Sequence, residues 1–229
     1  MRVLDFLRNI DIVGLLVKAV ITLLAISVHE ASHGLASYLM GDRTAKSMGR
    51  ISINPLRHID PIGALCLLFF GFGWAKPVMV NSYRFKNPKL GMSIVGLAGP
   101  LSNFIMALLG AIGIKIMSLC GAVEFFGTTH YICNGATAEF FFDFLWLFMM
   151  MNIGLGVFNL IPIPPLDGSK IFLSLLPTKL YYDIMRYEQI GWLLLVVALT
   201  LGVLDPVLGT ANRYIVNAMF FLSGVPARI

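Results

Sequence analysis

Residues 19–40 read AVITLLAISVHEASHGLASYLM, and the only side chains in this stretch that carry or take up charge near neutral pH are His29, Glu30 and His33. Lys18 stands at one edge, with Asp42 and Arg43 just beyond the other. At about 1.5 Å per helical residue the stretch reaches about 33 Å, close to the thickness of a bilayer's hydrocarbon core. The polar group therefore falls near mid-membrane. Such side chains are costly at that depth and mark a functional site with a partner.

The spacing points to metal chemistry. His29 and His33 are four apart and share one helix face. Two imidazoles so placed can bind a single Zn²⁺, and Glu30, one residue along, is placed to serve as a general base toward water. Zinc favours four ligands, and a catalytic site keeps one of them for water. One protein ligand is therefore missing from His29-Glu30-Ala31-Ser32-His33. Without metal, three costly polar groups would have to satisfy one another in hydrocarbon.

The rest of the chain agrees with a membrane setting. Of 229 residues, 58% are hydrophobic and 13% charged, well outside the range of an average soluble domain. The expected fold is an all-α polytopic bundle of about four to six transmembrane helices. It forms one membrane-embedded domain over residues 1–229, in contact with the lipid bilayer. The net charge of +5 comes from basic residues in short loops beside the spans. That placement serves topology and anionic lipid, not nucleic acid. The apolar N-terminal run leads straight into the His-Glu signature, so it does not read as a cleavable signal.

Residues 1–11 read as a short amphipathic lead-in. Full spans are expected at 19–40, 93–114 and 144–161, and a further one at 190–204 that stops at Asp205-Pro206. Residues 46–53 alternate weakly and allow a short strand or hairpin. Such an edge would let an extended substrate add as a strand. Residues 61–75 read either as a tilted short span or as a re-entrant segment. Residues 214–225 either lie in the interface or return across. Loops 42–60, 76–90 and 166–188 are basic, whereas 118–139 has neither Lys nor Arg. The basic loops should face the cytoplasm. Cys120 and Cys133 bracket the loop on the opposite side, where a bridge between them is an option.

Asp167 is the leading candidate for the third ligand. It follows the third span in Asn159-Leu160-Ile161-Pro162-Ile163-Pro164-Pro165-Leu166-Asp167-Gly168, where the prolines bar a helix and the chain can fold back into the bundle. Asp167-Gly168 can equally be a plain loop turn. His58 is an alternative ligand, although its neighbours Arg57 and Asp60 favour a solvated or capping role. His130 lies on the wrong side by the charge argument. The glycines of the second span read as helix packing.

Together these motifs resemble the site-2 protease family of intramembrane zinc metalloproteases. His29-Glu30-x-x-His33 resembles the family's first motif. Asn159-x-x-Pro162-x-Pro164-x-x-Asp167-Gly168 resembles the second, and Gly99-Pro100-Leu101-Ser102-Asn103 falls between them as the family's small-residue motif does. The resemblance implies a zinc metalloendopeptidase, a hydrolase that cuts peptide bonds in or near transmembrane segments of membrane-spanning protein substrates. It implies Zn²⁺ on His29, His33 and Asp167, Glu30 as catalytic base, and Asn159 as a residue that binds substrate or stabilises the oxyanion. It further implies a minimal form without PDZ or CBS domains, in the cell membrane, with its active site nearer the cytoplasmic side. The alternatives are a non-proteolytic membrane zinc carrier and an inactive membrane scaffold. A carrier should show a ladder of further ligands through the spans, and a scaffold has no need of Glu30.

Overall fold

Helix α1 (Ile12–Leu39) carries the apolar run with the His-Glu signature, and the chain leaves it at Gly41, whose φ of 105° suits glycine. These observations come from a computed structural model, which describes residues 12–60, 62–63, 76–126 and 130–226. Beyond Gly41, the buried carboxylate of Asp42 gathers the next segments. It accepts hydrogen bonds from the Thr44 N–H (3.0 Å), the Thr44 hydroxyl (2.6 Å), the Ser37 hydroxyl (3.3 Å) and the Asn81 N–H (2.7 Å). A helical turn, α2 (Thr44–Ser47), and a 3-10 turn at Pro55–Arg57 follow.

Helix α3 (Pro88–Leu119) starts with Pro88 at its first position and the Asn87 side chain accepting from the Leu90 N–H, a favourable N-terminus. Pro100 lies inside this helix without ending it. Neighbouring helices cover the backbone there, a situation in which membrane helices tolerate proline. A two-stranded antiparallel hairpin, β1 (Val123–Phe126) and β2 (His130–Cys133), leads into α4 (Ala136–Asn159). Then come α5 (Asp167–Phe172), α6 (Thr178–Met185), α7 (Glu188–Thr200) and α8 (Asp205–Ser223).

By length and composition, α1, α3 and α4 can each cross a membrane, and α7 with α8, bent by 84° at their junction, make a fourth if counted as one span. The central element is α3, which packs on α1, α4, α5 and α8. Every fourth residue on its inner face is buried: Val95, Gly99, Asn103, Ala107 and Ala111. On its outer face Leu101, Ile105, Leu109 and Ile116 are exposed, as lipid contact requires. Below the signature, Ile114, Val123, Phe142, Met149, Ile153 and Phe220 form an apolar core joining α3, the hairpin, α4 and α8.

Several expectations are corrected. Residues 46–53 form no strand, because Asp42 starts a helical turn at Thr44 and Gly49, with φ of 65°, turns the chain away. The hairpin lies instead within 118–139, where aromatic and β-branched residues flank the sequence Gly127-Thr128-Thr129. Cys120 and Cys133 are both free, and the residue paired opposite Cys133 is Val123. The expected span at 190–204 breaks after Thr200, and 214–223 continue α8. The lead-in 1–11 and the segment 61–75, apart from residues 62–63, lie outside the described residues.

Asp42 sits beyond the membrane helices, so its contribution should be open to measurement. Burial pushes its carboxyl upward, but the bonds from Thr44, Asn81 and Ser37 outweigh burial and hold it below its ordinary value. Asp42→Ala should destabilise the detergent-solubilised protein by about 1–3 kcal/mol at neutral pH, since it strands buried donors. A group with a lowered folded value stabilises above its unfolded value and loses that contribution as pH falls through the folded one. Variant and wild type should therefore differ in Tm at pH 7 and begin to converge only as pH falls below about 4.

Candidate metal centre

Residues from two elements far apart in sequence meet at one point. His29 and His33 project from the same face of α1, and Asp167 opens α5. The Nε2 atoms of His29 and His33 lie 3.0 Å apart, and Asp167 Oδ2 lies 3.1 Å from the first and 2.9 Å from the second. All three side chains are buried, at 4%, 7% and 5% exposure.

The other ring nitrogens are already engaged. His33 Nδ1–H donates to the Val95 carbonyl at 2.7 Å, and His29 Nδ1–H donates to Asn103 Oδ1 at 2.6 Å. With its hydrogen on Nδ1, each neutral ring turns a lone pair inward at Nε2. Two such nitrogens and a carboxylate oxygen then face one spot, an arrangement that a cation relieves. Ligands on a tetrahedral zinc with bonds of ~2.0–2.1 Å stand ~3.3 Å apart, near the distances found here. A borderline metal such as zinc suits two imidazoles and one carboxylate. Three protein ligands leave a fourth position, the pattern of catalytic rather than structural zinc sites.

The surroundings are shaped for this cluster. Lys170 Nζ binds Asp167 Oδ1 at 2.9 Å, leaving Oδ2 turned to the histidines. At Gly99 any Cβ would lie 2.5 Å from His33 Cε1 and 2.6 Å from His29 Nε2, so only glycine lets α3 approach the rings this closely. At Gly168 a Cβ would come within 2.2 Å of the Leu160 carbonyl oxygen, so the return from α4 to α5 also depends on a missing side chain.

The remaining candidates fall at different places. Glu30 is half-buried beside the cluster, and its Oε2 accepts from the Val78 backbone N–H at 2.9 Å. Asn159 ends α4 with its amide nitrogen donating to the Leu155 carbonyl, and among the described residues no hydrogen bond links it to His29, His33 or Asp167. His58 is buried but stands apart, its Nε2–H donating to the Ser52 carbonyl. His130 is exposed on β2. Four partners were not singled out from the sequence: Lys170, Val78, Val95 and Asn152, whose Oδ1 accepts from Asn103 Nδ2 at 3.0 Å. Asn152 had a visible signal, since in residues 144–158 it is the one polar side chain apart from the indole of Trp146. Among the described residues, His29, His33 and Asp167 are the one group of His, Cys, Asp and Glu residues able to hold a metal ion.

Comparison with known proteins agrees with this reading. Residues 17–201 match the family model of peptidase family M50. The candidate zinc metalloprotease YwhC of Bacillus subtilis is 36% identical over 179 residues, covering 78% of each chain. The candidate zinc metalloprotease Rip2 of Mycolicibacterium smegmatis is 26% identical over 96% of this chain and 80% of its own. The zinc metalloprotease MJ0392 of Methanocaldococcus jannaschii is 35% identical over 97 residues, which is 42% of this chain and 23% of that one. No solved structure matches the chain.

The glycine contact gives a direct test. Gly99→Ala should push both rings aside and lower zinc affinity by at least about 10-fold, with overpacking of about 1–3 kcal/mol in stability. Gly154→Ala, where a Cβ would meet nothing within 4 Å, should leave both unchanged. Zinc competition with a chelating dye and thermal melts of the two variants in detergent would check this.

Proposed function

The chain belongs to peptidase family M50 and is a zinc metalloprotease, and we propose on that premise that it cuts peptide bonds in or near membrane-spanning segments of its protein substrates. The observation that carries this is the buried meeting of His29, His33 and Asp167, on helices of which α1 is apolar enough to lie at bilayer depth. Residues 1–229 act as one membrane-embedded unit in this reading. No second metal cluster among the described residues favours a carrier.

In this mechanism His29, His33 and Asp167 hold Zn²⁺, which supplies Lewis acidity toward the scissile carbonyl and toward water. Glu30 is the general base. Its Oε2 is held by the Val78 N–H, which leaves Oε1 to take a proton from the attacking water. The same carboxyl then passes that proton to the leaving amine nitrogen. Asn159 serves the substrate by donating a hydrogen bond from Nδ2 to developing negative charge, after releasing the Leu155 carbonyl. A substrate helix has to unwind locally, since its amides are otherwise paired and shielded.

The site opens toward the cytoplasm in this proposal, and the protein resides in the cell membrane. Val78, which binds Glu30, belongs to the loop carrying Lys76, Arg84 and Lys86, with Lys89 in the first turn of α3 beyond it. Such basic loops stay on the cytoplasmic side.

Glu30→Gln keeps the side chain's size and an oxygen to accept from the Val78 N–H but cannot take the proton. It should retain zinc and lower cleavage of a model transmembrane substrate by about 10²–10⁴-fold. Wild-type turnover in zinc-loaded Glu30→Gln would sink the assignment of the base.

Orientation is read by labelling intact cells with a membrane-impermeant thiol reagent. A variant with exposed Cys120 as its single cysteine should label, and one with a single cysteine placed by Lys86→Cys should not. The reverse pattern would move the opening to the other face.

A further inference from the structure

We propose that Asn152, acting through Asn103, is a positioning residue that fixes which nitrogen of His29 faces the metal seat; this rests on the reading of His29 as a ligand. The two amides are fully buried, one on α3 and one on α4. Asn152 Nδ2 donates to the Phe148 carbonyl at 2.9 Å, Asn103 Nδ2 donates to Asn152 Oδ1 at 3.0 Å, and Asn103 Oδ1 faces His29 Nδ1 at 2.6 Å.

The direction of this chain is forced from its far end. A backbone carbonyl only accepts, so the Asn152 atom facing Phe148 is its NH₂ nitrogen. Its oxygen is then turned to Asn103, and an oxygen there demands a donor. The Ala25 carbonyl, 3.4 Å from Asn103 Nδ2, makes the same demand. Asn103 therefore has its oxygen left for His29. An acceptor at that point requires the ring hydrogen on Nδ1, which leaves the Nε2 lone pair for metal. With Asn103 turned over, its NH₂ would meet the ring, the hydrogen would move to Nε2, and the ligand position would be blocked.

His33 needs no such relay, because the Val95 carbonyl meets its Nδ1 directly. One turn further along α3, the acceptor that meets His29 Nδ1 is instead a side chain, Asn103 Oδ1. Buried amides that bridge two helices also hold them together. Simple adhesion, however, works with the pair in either orientation, whereas the ligand needs one.

The test uses the full chain in detergent micelles and measures zinc dissociation constants by competition with a chelating dye, with thermal melts of the metal-free proteins as the control for folding. His29→Ala should lose tight zinc; full affinity there would remove the ligand reading, and this inference with it. Given that loss, Asn103→Leu and Asn152→Leu should each weaken zinc by about 10–100-fold. Asn103→Asp presents an acceptor to His29 whichever way its carboxyl lies, so it no longer needs Asn152. Adding Asn152→Leu to Asn103→Asp should therefore leave affinity within about twofold or raise it. Should Asn152→Leu fail to fold, the smaller Asn152→Ala takes its place in both backgrounds. Wild-type affinity in the folded Asn152 variant, or an equal loss in both backgrounds, would overturn the relay.

Discussion

Two imidazoles and a carboxylate are held together inside an apolar bundle, and most of the structure around them answers that constraint. Left alone, such groups are expensive to bury, by several kcal/mol for an unpaired charge. Each has a dedicated partner instead. Lys170 takes the outer oxygen of Asp167, the Val95 carbonyl takes the His33 Nδ1–H, and Asn103 takes that of His29. What remains unpaired by the protein points inward, toward the proposed seat of the metal.

Helix α3 supplies much of that shell from one row of its surface. Val95, Gly99 and Asn103 stand four residues apart, giving a carbonyl, a gap and an amide along the face that meets α1. The same row continues as Ala107 and Ala111, which let α3 pack on its neighbours. Lipid offers helices no hydrophobic drive to associate, so close approach of small residues and a few buried polar contacts must suffice. Chemistry and packing thus occupy successive turns of one helix. The glycine that packing alone would explain also lies directly against the His29 and His33 rings of the candidate metal site.

Much of this was legible in the sequence because the signals are local. Apolar length marked α1, α3 and α4, and the four-residue spacing of His29 and His33 marked a shared face. The prolines at 162, 164 and 165 left Asp167 open as a ligand or a plain loop turn, and the motif resemblance favoured the ligand. The contacts that were not legible join distant segments. Nothing near Asn152 says that its oxygen meets Asn103, 49 residues earlier, and nothing near Val78 says that its N–H reaches Glu30, 48 residues earlier. The hairpin was misplaced for a similar reason. Weak alternation at 46–53 lacks a partner strand, whereas 123–126 and 130–133 supply each other.

The placement of Glu30 follows from the loop as much as from the helix. A glutamate on α1 has several rotatable bonds, and one residue's offset from His29 does not by itself fix where its carboxyl lies. The Val78 N–H supplies that restriction at 2.9 Å. Three residues on, the Asn81 N–H is held by Asp42, just past the end of the same helix, so the backbone of 78–81 is tied to α1 at two points. Both ties are carboxylate to amide, a charge-assisted bond stronger than a neutral one. The Glu30 carboxyl is therefore oriented by main chain, which no side-chain substitution short of proline removes. Any shift of this segment that breaks the Val78 contact also frees the carboxyl of Glu30. The fold of the loop and the position of the Glu30 carboxyl are one arrangement.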